Sequence, residues 1–168
     1  MTNIIFIHGL ESSGKGFKGR FLFKVLPGCI TPDFEEYNPN ISSKLLLEKR
    51  MKQLYLILNN KSPWIIIGSS FGGLMGALYT FQNPRNVSKL ILLAPVLSIP
   101  KLSPKIYSPV NVPVIIFHGK NDKVVPIKQS RALAEKFFTN LVYNIVDDDH
   151  FLHKTVKSLN WKKLIENI

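Results

Sequence analysis

Cysteine is nearly absent from this sequence: Cys29 is the only one among 168 residues. No internal disulfide can form, so the fold does not depend on an oxidising compartment. Long apolar runs are missing too. The longest, from Leu90 to Leu97, is about eight residues, whereas a membrane-spanning helix needs roughly twenty. Met1-Thr2-Asn3 enters the first apolar run with no basic segment ahead of it, so no signal peptide is expected. A cytoplasmic protein is the resulting expectation. Acidic residues are scarce: 11 Asp and Glu face 22 Lys and Arg, a formal net charge of +11. Arginine is scarce as well, limited to Arg20, Arg50, Arg85 and Arg131. With no Arg-rich tract and no basic stripe interleaved with aromatics, nucleic-acid binding is not expected.

The apolar content is sufficient for a core. Hydrophobic residues make up 45% and charged residues 20%, which excludes a disordered chain. Ile-, Val- and Leu-rich runs recur at 3–7, 64–67, 90–93, 113–117 and 141–146, with a weaker one at 28–31. They do not alternate with polar residues, which predicts a mostly parallel sheet covered on both faces. Helical patterns fall between them, at 17–26, 42–58, 71–81, 127–138 and 153–165. In the second, Leu45, Leu46, Lys49, Met51, Leu54 and Leu58 mark the expected stripe. Alternating strands and helices predict a doubly wound α/β architecture. The stretch 94–113 carries Pro95, Pro100, Pro104, Pro109 and Pro113, which predicts a rigid irregular connection.

Gly68-Ser69-Ser70-Phe71-Gly72 follows one predicted strand and opens a predicted helix. A serine on such a sharp turn has a strained backbone, and the chain on either side of it comes so close that only glycine fits. The helix N-terminus presents the Phe71 amide to a developing oxyanion. The alternative is that Ser70 merely caps the helix. A serine hydroxyl needs a base, and the base needs an orienting acid. Asp122 and His150 each lie just beyond a predicted strand, so all three fall on the carboxyl edge of the sheet. Asp147, Asp148 and Asp149 rival Asp122, but reaching the adjacent His150 ring would require a tight local turn. His153 rivals His150, but it belongs to the following helix. Near the start, His8-Gly9 ends a strand, and Gly9 allows a kink that presents the Leu10 amide as a second oxyanion donor. His8 and His118 both read as structural residues pinning a turn.

Two other chemistries are weaker. Gly9 to Gly16 reads G-x-x-x-x-G-K-G, one residue from a phosphate-binding P-loop. Gly16 stands where Ser or Thr would ligate Mg²⁺, and no later strand ends in a suitable aspartate. Cys29 has no elbow or histidine of its own, and no His or Cys spacing suggests a metal site.

Together His8-Gly9, Gly68-x-Ser70-x-Gly72, His118-Gly119-x-x-Asp122-x-Val124-x-Pro126 and Asp149-His150 resemble the α/β-hydrolase superfamily. His8-Gly9-Leu10-Glu11-Ser12-Ser13 with Gly68-Ser69-Ser70-Phe71-Gly72-Gly73 is similar to small lidless bacterial esterases of the YqiA type. The resemblance implies one α/β-hydrolase domain over 1–168, with about six mainly parallel strands in a doubly wound sheet flanked by helices and no lid domain. It implies a Ser70–His150–Asp122 triad with the Leu10 and Phe71 amides as oxyanion hole. No cofactor or metal is expected. The expected reaction is hydrolysis of esters or thioesters of short to medium acyl chains. Phe71 and the 94–107 connection, including Leu97 and Ile99, are expected to line the acyl pocket. Acyl-protein thioesterases, amidases and peptidases run on the same triad, and pocket shape decides among them. A non-catalytic binding protein of the same fold is the other class of reading. The lysines are mostly dispersed, which reads as a solvated cationic surface. The alternative is that Lys15, Lys18, Lys101, Lys105, Lys120 and Lys123, in loops at the active edge, form a positive rim for an anionic substrate or membrane surface.

Overall fold

A computed structural model describes residues 3–59, 61, 63–97 and 107–166. The chain runs β1 (Asn3–Ile7), α1 (Phe17–Val25), β2 (Cys29–Ile30), α2 (Ser43–Leu58), β3 (Trp64–Ser69) and α3 (Phe71–Gln82). It continues through a 3₁₀ turn (Pro84–Asn86) to β4 (Val87–Leu93), β5 (Val114–Gly119), α4 (Ile127–Phe137), β6 (Leu141–Val146), α5 (His153–Ser158) and α6 (Trp161–Glu166). The six strands lie in the order β2-β1-β3-β4-β5-β6, and every neighbouring pair is parallel.

The strand alternation divides the core in two. Ile5, Ile7, Ile66, Leu90, Leu92, Val114 and Ile116 face one side, where they pack with α2, α3 and α4. Ile4, Phe6, Ile65, Ile67, Ile91, Leu93 and Phe117 face the other, against α1, α5 and α6. The apolar runs do not alternate with polar residues because both sides are covered, as a parallel sheet requires. Residues 71–80 of α3 are all buried. A fully buried Leu74 alone contributes on the order of 2 kcal/mol by removal from water. No helix among the described residues is long and apolar enough to cross a membrane.

Three expectations are corrected. The run 141–146 forms a strand, but β6 is the sheet edge and pairs only with β5, so Val142 and Ile145 are exposed. The helix expected over 153–165 is two helices. Leu159 is extended, and the Asn160 side chain accepts from the Lys163 amide to start α6. That break lets Trp161 pack into the second core and donate its indole N–H to Val156 O at 2.8 Å. In α2 the buried positions are Leu46, Leu47, Arg50, Leu54 and Leu58, while Leu45 is exposed. The helix is rotated from the expected stripe because Arg50 points inward and finds acceptors there.

Candidate active site

Four strand ends bring the predicted residues to the carboxyl edge of the sheet. The β3–α3 turn carries Ser70 in a left-handed backbone conformation, φ 53° and ψ −114°. Such a conformation costs a non-glycine residue on the order of 1–3 kcal/mol and persists only when its surroundings fix it. Here the Ser70 N–H donates to Leu93 O at 2.9 Å, and its carbonyl accepts from Val96 N at 3.1 Å and Gly73 N at 3.0 Å. Gly68 and Gly72 permit the turn. A Cβ on Gly68 would sit 2.6 Å from Gly72 O, and one on Gly72 would overlap the Ile7 and His8 carbonyl oxygens. The Ser70 hydroxyl makes no helix-capping bond, so the capping alternative does not describe its role.

The hydroxyl instead meets His150: Ser70 Oγ lies 3.0 Å from His150 Nε2, and His150 Nδ1 lies 2.7 Å from Asp122 Oδ2. With Nδ1–H donating to the carboxylate, Nε2 is left to accept the serine proton. The two loops that supply His150 and Asp122 are tied together, since the Lys120 N–H donates to Val146 O and the Asn121 N–H to Asp148 O. The Asp122 side chain is fully buried. Burial alone would raise its carboxyl. The Val125 amide, the His150 ring and the Val124 amide outweigh that and hold it below the ordinary aspartate value.

The rival acids have other partners. Asp147 pairs with Lys120 at 2.8 Å, Asp148 accepts from the Thr155 amide and hydroxyl at the start of α5, and Asp149 accepts from the Phe151 amide. His153 packs against Phe17 with the rings tilted at 48° and their centroids 4.2 Å apart. His8 is buried and pins its turn: Nδ1–H donates to Gly9 O at 2.8 Å and Nε2 accepts from the Phe34 N–H at 3.0 Å. His118 does more than pin a turn, because its Nε2 lies 3.1 Å from Asp122 Oδ2 as well as 3.2 Å from Val125 O. Its Nδ1 is 2.7 Å from the Tyr143 hydroxyl. The His-x-x-x-Asp spacing was the sequence signal for this contact.

Gly9 lies against the nucleophile turn, since a Cβ on it would be 3.6 Å from Ser70 Cβ. The Leu10 amide makes no hydrogen bond among the described residues, and the Phe71 amide, first in α3, has no intrahelical acceptor. Leu97 and Phe71 are both buried in the first core, at 1% and 4% exposure. Ile99, Lys101 and Lys105 lie outside the described residues. Of the remaining rim lysines, Lys15 is 3.9 Å from Asp33 and Lys120 pairs with Asp147. Burial pulls Lys18 down to about 8 against the pull of Asp149 and Asp148. The P-loop-like turn is already engaged, because the Gly14 N–H donates to Asp33 Oδ1 at 2.7 Å. Among the described residues, no three of His, Cys, Asp and Glu are arranged to hold a metal ion.

Solved structures share this arrangement of strands and helices. A candidate hydrolase of the alpha/beta superfamily from Xanthomonas campestris pv. campestris is 24% identical, with a TM-score of 0.81 and 100% of each chain covered. This is the α/β-hydrolase fold. Est1E from Butyrivibrio proteoclasticus, solved with ferulic acid bound, matches with a TM-score of 0.79 at 15% identity, over 98% of this chain and 89% of that one. The mouse alpha/beta hydrolase domain-containing protein 10 matches with a TM-score of 0.78 at 20% identity, over 98% and 89%. The family model for serine aminopeptidases S33 matches residues 47–111, a stretch that includes Ser70 but stops short of Asp122 and His150. No curated protein matches the sequence.

Proposed function

We propose that this protein is a serine hydrolase of the carboxylesterase kind, cleaving esters or thioesters of short to medium acyl chains. One observation carries the reading: the unbroken chain from Ser70 Oγ through His150 to the buried Asp122 carboxylate, with links of 3.0 and 2.7 Å. Ser70 Oγ attacks the acyl carbonyl while its proton passes to His150 Nε2. Asp122 holds the ring in the tautomer that can take that proton and stabilises the resulting imidazolium. The Leu10 and Phe71 amides receive the oxyanion of the tetrahedral intermediate. His150 returns the proton to the leaving alkoxide or thiolate, which leaves an acyl-enzyme. Water then attacks the acyl carbonyl, giving its proton to His150, and collapse of the second intermediate releases the acid and restores Ser70.

A second reading, peptidase or amidase on the same residues, is favoured by the serine aminopeptidase match over 47–111. One experiment separates the readings. Wild type and Ser70→Ala are treated with a fluorophosphonate, and wild type is then assayed on p-nitrophenyl esters and aminoacyl p-nitroanilides. The ester reading expects labelling that disappears in Ser70→Ala and turnover of the esters. Labelling that survives in Ser70→Ala overturns the nucleophile assignment. Turnover of the anilides with none of the esters overturns the ester reading. A folded wild type that neither labels nor turns over leaves a binding protein of this fold.

A further inference from the structure

Arg50 is a cation with no exposed surface, in the middle of α2, where an apolar residue would be expected. Burial of a charge is costly unless the charge is fully hydrogen-bonded. Each of its three guanidinium nitrogens donates to a main-chain carbonyl. Nε donates to Glu35 O at 2.8 Å, Nη1 to Gly9 O at 3.1 Å, and Nη2 to Leu10 O at 2.8 Å. The guanidinium also lies over the Phe71 ring, 5.5 Å from its centroid. Burial pulls its proton affinity down and the Glu35 carboxylate opposes this, yet a guanidinium stays charged throughout the physiological range.

These acceptors are not scattered. Gly9 O and Leu10 N–H are the two ends of one trans peptide unit, and planarity sends them in opposite directions. Arg50 Nη1 and His8 Nδ1 both donate to Gly9 O. Donors at that end fix the plane of the peptide and polarise it, which makes the N–H at the other end a stronger donor. That N–H makes no hydrogen bond among the described residues, and Gly9 lies against Ser70. The residue that supplies the other free amide, Phe71, has its ring beneath the same guanidinium.

We propose that Arg50 is a positioning residue for the oxyanion hole, orienting and polarising the Gly9–Leu10 peptide from behind while it packs on Phe71. This rests on the serine-hydrolase reading above. Arg50 touches no reacting atom. Its effect is to place charge on the far side of a peptide whose N–H faces the oxyanion, so its contribution grows as negative charge develops in the transition state.

The test uses Arg50→Lys, which keeps the charge but cannot reach three carbonyls, and Arg50→Gln as a neutral second variant. Fluorophosphonate titration counts the competent sites in each, so that loss of folded protein is separated from loss of rate per site. The readouts are kcat and KM on a p-nitrophenyl ester, and the affinity of a trifluoromethyl ketone, which adds to Ser70 and places an oxyanion in the hole. The expected result is a fall in kcat per titrated site of at least about tenfold with KM changed by less than about threefold, matched by an equal loss of ketone affinity. A merely structural Arg50 would lower the melting temperature or the number of titrated sites and leave both readouts per site alone. Kinetics and ketone affinity within about twofold of wild type, in whichever variant yields titratable sites, overturn the role of Arg50 alone. Lack of any titratable site in wild type overturns the hydrolase reading, and Arg50's role with it.

Discussion

His118 Nε2 sits 3.1 Å from Asp122 Oδ2, the same oxygen that His150 Nδ1 approaches at 2.7 Å. Oδ1 of that carboxylate accepts the Val124 and Val125 amides, each at 2.8 Å. The buried carboxylate therefore has a donor in every direction. His118 Nε2 faces two acceptors, Asp122 Oδ2 and Val125 O, so it carries the ring proton, and Nδ1 accepts from the Tyr143 hydroxyl. A graded series of rate losses follows. Asp122→Asn reverses the hydrogen bond that selects the His150 tautomer and is expected to lower kcat/KM by on the order of 10⁴-fold, the size such a change has in serine proteases. His118→Phe removes one donor to Oδ2 and leaves Val125 O and the Tyr143 hydroxyl without it, with an expected loss of about tenfold. Tyr143→Phe acts one bond further away, and a loss of about twofold is expected. Steady-state kinetics on a p-nitrophenyl ester orders the three. A Tyr143→Phe loss equal to that of Asp122→Asn would contradict the graded arrangement.

Acid should weaken the fold in two stages. Burial lowers both His8 and His118 from the ordinary 6.5, against the pull of hydrogen bonds and of nearby Asp33 and Asp122 respectively. The folded protein therefore keeps these rings neutral at a pH where the unfolded chain has begun to protonate them. Stability from this source is complete above about 6.5 and is lost as pH falls toward the folded-state values. Asp122 and Asp148 are held below 3.8, because hydrogen bonds to their carboxylates outweigh the opposing effect of burial. Their contribution is lost only as pH falls below that value. Urea midpoints from pH 8 to pH 3.5 are expected to decline first below about 6.5 and again below about 4. His118→Phe is expected to flatten the first decline. A wild-type midpoint that rises between pH 7 and 5.5 would sink this account.

Cys29 should be unreactive while the protein is folded. It is buried at 1% exposure in the second core, and burial pushes its thiol up to about 12. Thiol reactivity tracks the thiolate and its access to solvent, and both are suppressed here. Iodoacetamide at pH 8 is expected to leave native protein unmodified by mass spectrometry and to add one group in urea. Modification of native protein at the unfolded rate would contradict this burial.

What the sequence made legible followed from constraints that operate locally. The β1, β3 and β4 apolar runs are buried on both faces, so they read directly as parallel strands. The serine turn shows itself through Gly68 and Gly72, whose need for close backbone approach is written into five consecutive residues. Asp122 and His150 could be placed because each follows a strand immediately. Arg50 was not legible, because a charged residue at a core position makes sense only once the Gly9, Leu10 and Glu35 carbonyls are seen to converge on it from 15 to 41 residues away. The exposure of β6 was hidden for a similar reason. Its composition is that of a central strand, and only the sheet order places it at the edge. The α5–α6 break is not legible in the sequence because Asn160 looks like a tolerable helix residue until its side chain is seen to accept from the Lys163 amide.

Two glycines should respond very differently to alanine. Gly28 has φ +83°, and nothing lies within 4 Å of a Cβ built on it. Gly28→Ala therefore carries only the backbone penalty of a left-handed alanine, about 1 kcal/mol. Gly72 has an ordinary helical backbone, but a Cβ there would overlap the Ile7 and His8 carbonyl oxygens at the end of β1. Those oxygens belong to main chain at the end of β1, where Ile7 is paired with Gly68 of β3 beside the His8 ring and the Leu10 turn, so they cannot swing aside as a flexible side chain would. The α3 N-terminus has to back away instead, and it carries Phe71 and the Ser70 turn with it. Gly72→Ala is expected to cost more than about 3 kcal/mol and to abolish fluorophosphonate labelling of Ser70 in whatever folded protein is recovered. Gly28→Ala should label at the wild-type rate and lower the urea midpoint only slightly. A Gly72→Ala protein as stable as Gly28→Ala, with Ser70 labelled normally, would mean that the β1 edge and the serine turn are not packed as closely as these contacts require.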